Sequence, residues 1–422
     1  MNARALRPAA ALLACAALAG CGKSSPSSSS ASGGPIAQVS TAGAGGLATK
    51  NTTRLGGADP VIDAAAVARA VYPGLTSGSR PQAVVLVNDE DWPAALIAST
   101  LASAPLGAPL LYSEGSTLPS VSSQALAAMR PTGDGQAGGA QVIRIGAPAA
   151  APATPVGYRA TTLLASEPAA LAAAVARFAG RSHGVAPRQV IVLADDAPPA
   201  LAMPAAGLSA ESGAPILLVG PTSVPAATRS ELAGLHRPTI YVIGPSALHG
   251  SVFAALARLG TVKRIGGASG EEARASGAGG DPINNAIAIA RFADGSFGWG
   301  IHEPGHGLVF LNPSRPLDAP AAAPLSASGD FGPLLLLDAA SSPAGSSISG
   351  TSSIPPELTS YLSDIKPAYS PQVPAVRSVY NHGWLIGDEQ AISAVTQAEI
   401  DSLLETTPSA TATEEPSLPL AE

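Results

Sequence analysis

The sequence predicts an α/β protein made of three tandem modules, each with a largely parallel sheet. Two observations carry this. Short apolar runs bounded by Gly and Pro alternate with helical patterns, as expected for strands buried on both faces of a parallel sheet. The same order of elements then occurs three times at a spacing of about one hundred residues, which indicates homologous modules and not a short-period solenoid. The pattern is clearest between Arg188 and Leu259. There an apolar run, Val190–Leu193, passes through an Asp/Pro/Ala turn into an Ala-rich helix, Pro199–Ser212. The strand-like Gly213-Ala-Pro-Ile-Leu-Leu-Val-Gly220 comes next, then a short amphipathic helix with Glu231, Leu232 and Leu235. The β-branched run Thr239–Ile243 and a helix over Val252–Leu259 complete the unit.

The chain begins with a targeting segment. In Met1–Gly20, Arg4 and Arg7 form a charged start and Ala9–Ala19 an apolar stretch too short to span a bilayer. Leu18-Ala-Gly-Cys21 has the form of a lipobox, which makes Cys21 the lipidated first residue of an exported chain. Cys15 leaves with the signal, so no disulfide or cysteine metal site is expected in the mature protein. Loss of Arg4 and Arg7 takes the formal net charge from −7 to −9. An acidic exported protein is a poor nucleic-acid binder.

Residues 21–51 read as a disordered Ser/Gly-rich tether with a poly-Ser run at Ser27–Ser30. Gly43-x-Gly45-x-x-Ala48 imitates a dinucleotide fingerprint but follows no strand, so it fails its structural test. The first module, residues 52–150, has helix Ile62–Val71, strand Val84–Val87 and a polar turn at Asn88–Asp91. Helix Pro93–Ala104, strand Pro109–Tyr112, helix Ser120–Met129 and strand Gln141–Ile145 follow. Gly133-x-Gly135-x-x-Gly138 precedes a strand and opens no helix, and reads as a loop.

The second module, 151–260, aligns on the first, with Val190–Leu193 in place of Val84–Val87 and Pro215–Leu218 in place of Pro109–Tyr112. The third, 261–404, opens on Val262-Lys-Arg-Ile-Gly-Gly-Ala268, an echo of Arg54-Leu-Gly-Gly-Ala58. It continues through helix Asn285–Phe292, strand Leu308–Leu311, a helix after Asp318, strand Pro333–Leu337, helix Pro356–Ile365 and strand Gly383–Ile386. Extra loops occupy Ser269–Pro282 and Lys366–Tyr380, and 405–422 reads as a disordered acidic tail. Only 4 % of residues are aromatic, so the Ala-rich helices must pack closely through small side chains.

The ordered motifs resemble the cell wall-binding repeat 2 family of exported Gram-positive proteins, which carry three such modules. Arg54-Leu-Gly-Gly and Arg264-Ile-Gly-Gly resemble its Arg-Ile-Ala-Gly element. Asp91-Trp-Pro-Ala-Ala-Leu96 and Leu317-Asp-Ala319 resemble its Phe-Pro-Asp-Ala-Leu element. Gly107-Ala-Pro-Leu-Leu111, Gly213-Ala-Pro-Ile-Leu-Leu218 and Gly332-Pro-Leu-Leu335 resemble its Gly-x-Pro-Ile-Leu-Leu strand, and Ile145-Gly, Ile243-Gly and Ile386-Gly its closing turn. The family's Asp-Ala-Leu aspartate is Ala94 in the first module and Pro199 in the second, and survives only as Asp318. The resemblance covers residues 52 to 395. It implies Rossmann-like or Toprim-like modules packed around a pseudo-threefold axis, no catalysis, and non-covalent attachment to wall polymer.

Candidate chemistry is sparse. His302-Glu-Pro-Gly-His306 satisfies H-E-x-x-H literally, but a zinc protease needs both histidines on one helix face. Pro304 and Gly305 between them predict a loop. Asp195, Asp196 and Asn88-Asp-Glu-Asp91 lie just after predicted strands, where ligand sites gather in α/β sheets. They fit contacts to a cation or to sugar hydroxyls, and Asp91 and Asp196 equally fit helix caps. Asp318 is placed to do the same in the third module. Arg54 and Arg264 stand at equivalent positions and fit either a phosphate clamp or inter-module ion pairs. Trp92, Trp299 and Trp384 are too scattered to define a cleft.

No nucleophile elbow, P-loop or paired Cys/His zinc spacing is present. The expectation is therefore a non-enzymatic lipoprotein without cofactor or metal, extracytoplasmic, membrane-anchored and wall-associated. It would bind a teichoic-acid-like glycopolymer or peptidoglycan as a monomer through Arg54, Asp91, Asp196, Arg264 and Asp318. The alternative is a solute-binding lipoprotein serving a transporter, which would show two lobes and a hinge.

Overall fold

The computed structural model describes residues 48–244, 248–266, 280–327, 331–338, 353–369 and 380–408. The segment expected to be a signal, Cys21, most of the expected tether and the end of the expected tail lie outside them. Twelve strands in three four-stranded sheets and eleven helices make up the described body, and every strand pairing within those sheets is parallel.

In chain order the body runs β1 (Thr52–Leu55), α1 (Pro60–Val71), β2 (Val84–Asn88), α2 (Trp92–Ala98), β3 (Leu110–Ser113), α3 (Ser120–Met129) and β4 (Val142–Gly146). The second set is β5 (Ala160–Leu164), α4 (Pro168–His183), β6 (Gln189–Ala194), α5 (Pro199–Ser212), β7 (Ile216–Val219), α6 (Ala226–Gly234), β8 (Thr239–Ile243) and α7 (Gly250–Leu259). The third is β9 (Thr261–Ile265), α8 (Pro282–Arg291), β10 (Gly307–Leu311), α9 (Asp318–Ala322), β11 (Phe331–Leu336), α10 (Pro356–Asp364), β12 (His382–Ile386) and α11 (Ala394–Leu403). The elements expected from periodicity are all present. The helix expected over Pro93–Ala104 stops at Ala98 and tightens into a 3₁₀ turn, Ser99–Ala102.

The sheets are not cut where the sequence repeats are. Their strand orders are β3-β2-β4-β5, β7-β6-β8-β9 and β11-β10-β12-β1. Each sheet holds the last three strands of one repeat and the first strand of the next. The third sheet has no following repeat, and β1 returns to fill that place, with Thr52 opposite Gly383 and Leu55 opposite Ile386. The exchange closes the three modules into a ring.

Helices repeat the cycle. The second helices α2, α5 and α9 touch one another pairwise, which puts them around the pseudo-threefold axis. Each module's first helix packs beside the second helix of the preceding sheet: α4 on α2, α8 on α5, α1 on α9. A helix in such a place is expected to be buried all round, and apart from Ser209 and the ion-paired Asp318 their buried stretches present apolar side chains or proline and glycine on every face. Leu201 through Ala210 of α5 are all buried, as are Ala94–Ala98 and Asp318–Ala322. Small side chains permit the approach. A Cβ on Gly207 would stand 2.7 Å from Ser326 Oγ and 2.8 Å from Leu334 Cγ.

The ring closure also orders both ends of the body. Asn51, assigned to the tether by sequence, is buried, and Ala48 bridges Thr53. Glu405, assigned to the tail, pairs with Lys50 and accepts from Asn51 Nδ2 at 3.2 Å. Thr407–Pro408 pairs with Ala368–Tyr369.

Candidate functional site

The carboxyl ends of the strands differ among the modules. After β2, Asn88 is buried and its side-chain oxygen accepts from the backbone of Glu90 and Gly115, both at 3.4 Å. Asp91 caps α2, accepting from Ala94 N at 3.1 Å. Burial pushes the neighbouring Asp89 carboxyl up, aided by Glu114 and Glu90. After β6, Asp195 and Asp196 are both exposed. Asp196 does not cap: α5 starts three residues later, with Pro199 as its first residue behind Pro198 at the cap position. A proline in the first turn has no N–H to offer, so the cap that the aspartate was expected to make has lost a donor.

After β10 the loop forms a closed polar cluster. Arg315 Nε donates to Asp318 Oδ2 at 2.7 Å, its Nη2 donates to Asp63 Oδ2, and its Nη1 donates to Ala58 O at 3.0 Å. Gly57 N donates to the other Asp63 oxygen at 2.6 Å. Both carboxyls are at 0 % exposure. Burial, then the charge of Asp318, pushes Asp63 up to about 9, and burial raises Asp318 as well. One guanidinium cannot neutralise two buried carboxylates, so the pair favours keeping a proton, and Asp63 is the group raised furthest. This is a seam between the first and third modules.

The two arginines predicted as equivalent are equivalent in the fold and differ in environment. Arg54 is 6 % exposed. It donates to Gly387 O, Asp388 O and Ile392 O at 3.0, 2.7 and 2.7 Å, and to Gln397 Oε1 at 2.9 and 3.2 Å. Its donors are spent inside the protein on backbone and amide oxygens, so neither a phosphate clamp nor an ion pair describes it. Arg264 is exposed, its guanidinium 4.0 Å over the ring of Phe253. Phe253 and Gln397 are the fourth residues of α7 and α11, which occupy the same place in their sheets.

His302 and Glu303 are exposed in the loop preceding β10. Asn381 Oδ1 accepts from Gly305 N and His306 N at 2.8 and 3.2 Å, holding that loop as a turn and not a helix. No group of three His, Cys, Asp or Glu among the described residues could hold a metal ion. Trp92, Trp299 and Trp384 are each half-buried against the core.

Sequence reasoning missed Asp63 and Arg315. The available signals were Arg315-x-x-Asp318 and a lone acid in the first turn of an Ala-rich helix. The third module repeats the position with a neutral residue: Asn285 Oδ1 crowds Gly266 as Asp63 Oδ1 crowds Gly56, both 2.0 Å from an added Cβ.

No protein-family model matches the chain, and no curated protein matches its sequence. Among solved structures the fold is similar to Cwp6 from Clostridium difficile, with a TM-score of 0.62 at 18 % identity over 84 % of this chain. It is also similar to Cwp8 from Clostridium difficile, with a TM-score of 0.58 at 16 % identity over 84 % of this chain. The chain spans about half the length of each, 48 % and 52 %.

Proposed function

We propose that this chain is a non-catalytic, lipid-anchored cell-envelope protein whose three-module ring binds wall polymer, either a teichoic-acid-like glycopolymer or peptidoglycan. The observation that supports it is the ring of three parallel sheets, which the chain shares in fold with two cell wall proteins. The lipobox at Cys21 and the Ser/Gly tether support export and anchoring at the membrane, with the body held off its surface. Three like modules do not match the two-lobed receptor of a transporter.

Of the predicted contact residues, Asp196 and Arg264 are the ones we assign to a ligand, because both are exposed. Arg54, Asp91 and Asp318 serve the fold. Attachment of this kind gains strength from several weak contacts along one polymer and needs no catalytic group.

The test is co-sedimentation of a Cys21→Ser chain with purified cell walls, before and after acid extraction of the wall polymers. Binding that disappears with the extracted polymer supports the reading. Failure to sediment with either preparation sinks it.

A further inference from the structure

The amino ends of the second sheet, opposite to the ends where ligands were expected, open on a cavity of about 840 Å³. It lies between the C-terminal turn of α4, the start of β6, the end of α5 and the turn from α6 into β8. Arg188, Arg237, His183 and His236 line it, with Gln189 and Thr239 between them, and no carboxylate does. That is unexpected in a chain with 30 acids against 23 Lys and Arg. A second cavity of about 440 Å³ shares the loop Val185–Pro187 and adds Arg181 and the Arg177–Glu231 ion pair, whose carboxylate is already neutralised at 2.8 Å. Together they form one groove with cationic side chains along it.

Three further observations separate this groove from an ordinary helix end. First, Arg188 is exposed, and its side chain makes no hydrogen bond or ion pair among the described residues. Second, His236 and Arg237 have φ of 54° and 66°, two consecutive non-glycine residues in the left-handed region where the first module has one, Arg130 at 49°. Side chains are disfavoured there, and such conformations gather at sites where the side chain is used. Third, the same place in the first module is closed. Gln82 stands where Arg188 does, two residues before the valine that β2 and β6 share, and donates to Pro105 O at 2.9 Å. Arg130 precedes Pro131 as Arg237 precedes Pro238, but donates to Gly74 O, while Arg80 Nε donates to Arg130 O at 2.6 Å. In the second module Arg188 has no such tie, and Arg237 has one long contact, from Nη1 to the exposed Arg258 O at 3.4 Å.

We infer that this groove is a binding site for a phosphate-bearing polyanion, with Arg188 and Arg237 as the phosphate contacts and His183, His236 and Gln189 as hydrogen-bonding walls. Guanidinium groups take phosphate oxygens in paired hydrogen bonds. Burial lowers the His183 imidazole, so the arginines carry the charge at neutral pH. The groove's assignment to wall polymer rests on the function proposed above, whereas anion binding itself rests on the cavity.

Titration calorimetry with inorganic tripolyphosphate tests the site without any wall material. The wild type is expected to bind saturably and more weakly as salt rises. Arg188→Gln/Arg237→Gln should weaken binding at least tenfold, and Arg159→Gln, exposed just before β5 at the edge of the first sheet, should leave it unchanged. Arg188→Glu, at an exposed side chain without a partner, gives the same loss independently of any folding defect at Arg237. No binding by the wild type, or equal binding by the Arg188 variants, overturns the site whatever the walls do. If tripolyphosphate binds as expected and walls do not, the anion site stands and the wall reading fails.

Discussion

Arg54, in the first strand, and Gln397, in the last helix, stand 343 residues apart in the chain and share two hydrogen bonds of 2.9 and 3.2 Å. The contact marks where the ring closes. Elsewhere an edge strand comes from the next repeat. Here it comes from the start of the chain, and α11 covers it with an amide where α7 covers Arg264 with a ring. The amide lets Arg54 be buried charged with its donors satisfied.

Arg54→Met should therefore lower stability by about 3 kcal/mol, since it orphans several buried carbonyl oxygens as well as Gln397. Gln397→Ala should cost less, and the double variant less than the sum, because the two share a network. Arg264→Met, at the exposed equivalent, should stay within about 0.5 kcal/mol. Urea unfolding of the four proteins checks all three statements.

The Asp63–Arg315–Asp318 seam predicts a pH dependence of opposite sign to ordinary acid denaturation. Asp63 is held at about 9 in the fold, above the usual carboxylate range, so folding takes up a proton. Its stabilising contribution is complete below about pH 4 and is lost progressively as pH rises toward about 9. Asp63→Asn, which installs the residue found at Asn285, should flatten the slope of unfolding free energy between those limits. An unchanged slope in urea titrations at several pH values would show that the proton resides elsewhere.

Arg315→Ala should be worse than either aspartate substitution. It leaves two buried carboxyls facing each other with no cation, a loss of about 3–5 kcal/mol by analogy with broken buried pairs. Thermal unfolding of Arg315→Ala beside Asp318→Asn measures the difference.

Gly207→Ala should destabilise by about 1–3 kcal/mol, because the added methyl meets Ser326 and Leu334 across the axis, where neither backbone can retreat. Ser326→Ala would relieve part of that strain in the double variant. Equal stability of Gly207→Ala and wild type would mean that the axial helices are not packed as closely as described.

Much of the fold was legible in the sequence because the strands are buried on both faces and so read as apolar runs. Val190–Leu193 and Val309–Leu311 could be nothing else. The strand exchange was not legible. Thr52–Leu55, Ala160–Leu164 and Thr261–Ile265 are short and partly polar, and nothing local tells an edge strand which sheet it joins. The repeat order itself suggested the opposite assignment. The predicted site residues failed for a related reason: Arg54 and Arg264 have the same sequence neighbours and differ only in what packs over them from another part of the chain. Asp318 was found by motif, but its partner Asp63 lies 252 residues from Arg315, the group that joins them. The basic groove has no motif, since its cations come from α4, the residue before β6 and the turn before β8.

The most direct measurement is the affinity of the Cys21→Ser chain for polymer acid-extracted from walls, titrated in solution at two salt concentrations. The account predicts saturable binding that weakens with salt and is diminished by Arg188→Glu. No binding to the extracted polymer or to the stripped peptidoglycan would contradict wall attachment, leaving a closed three-module ring without the role assigned to it.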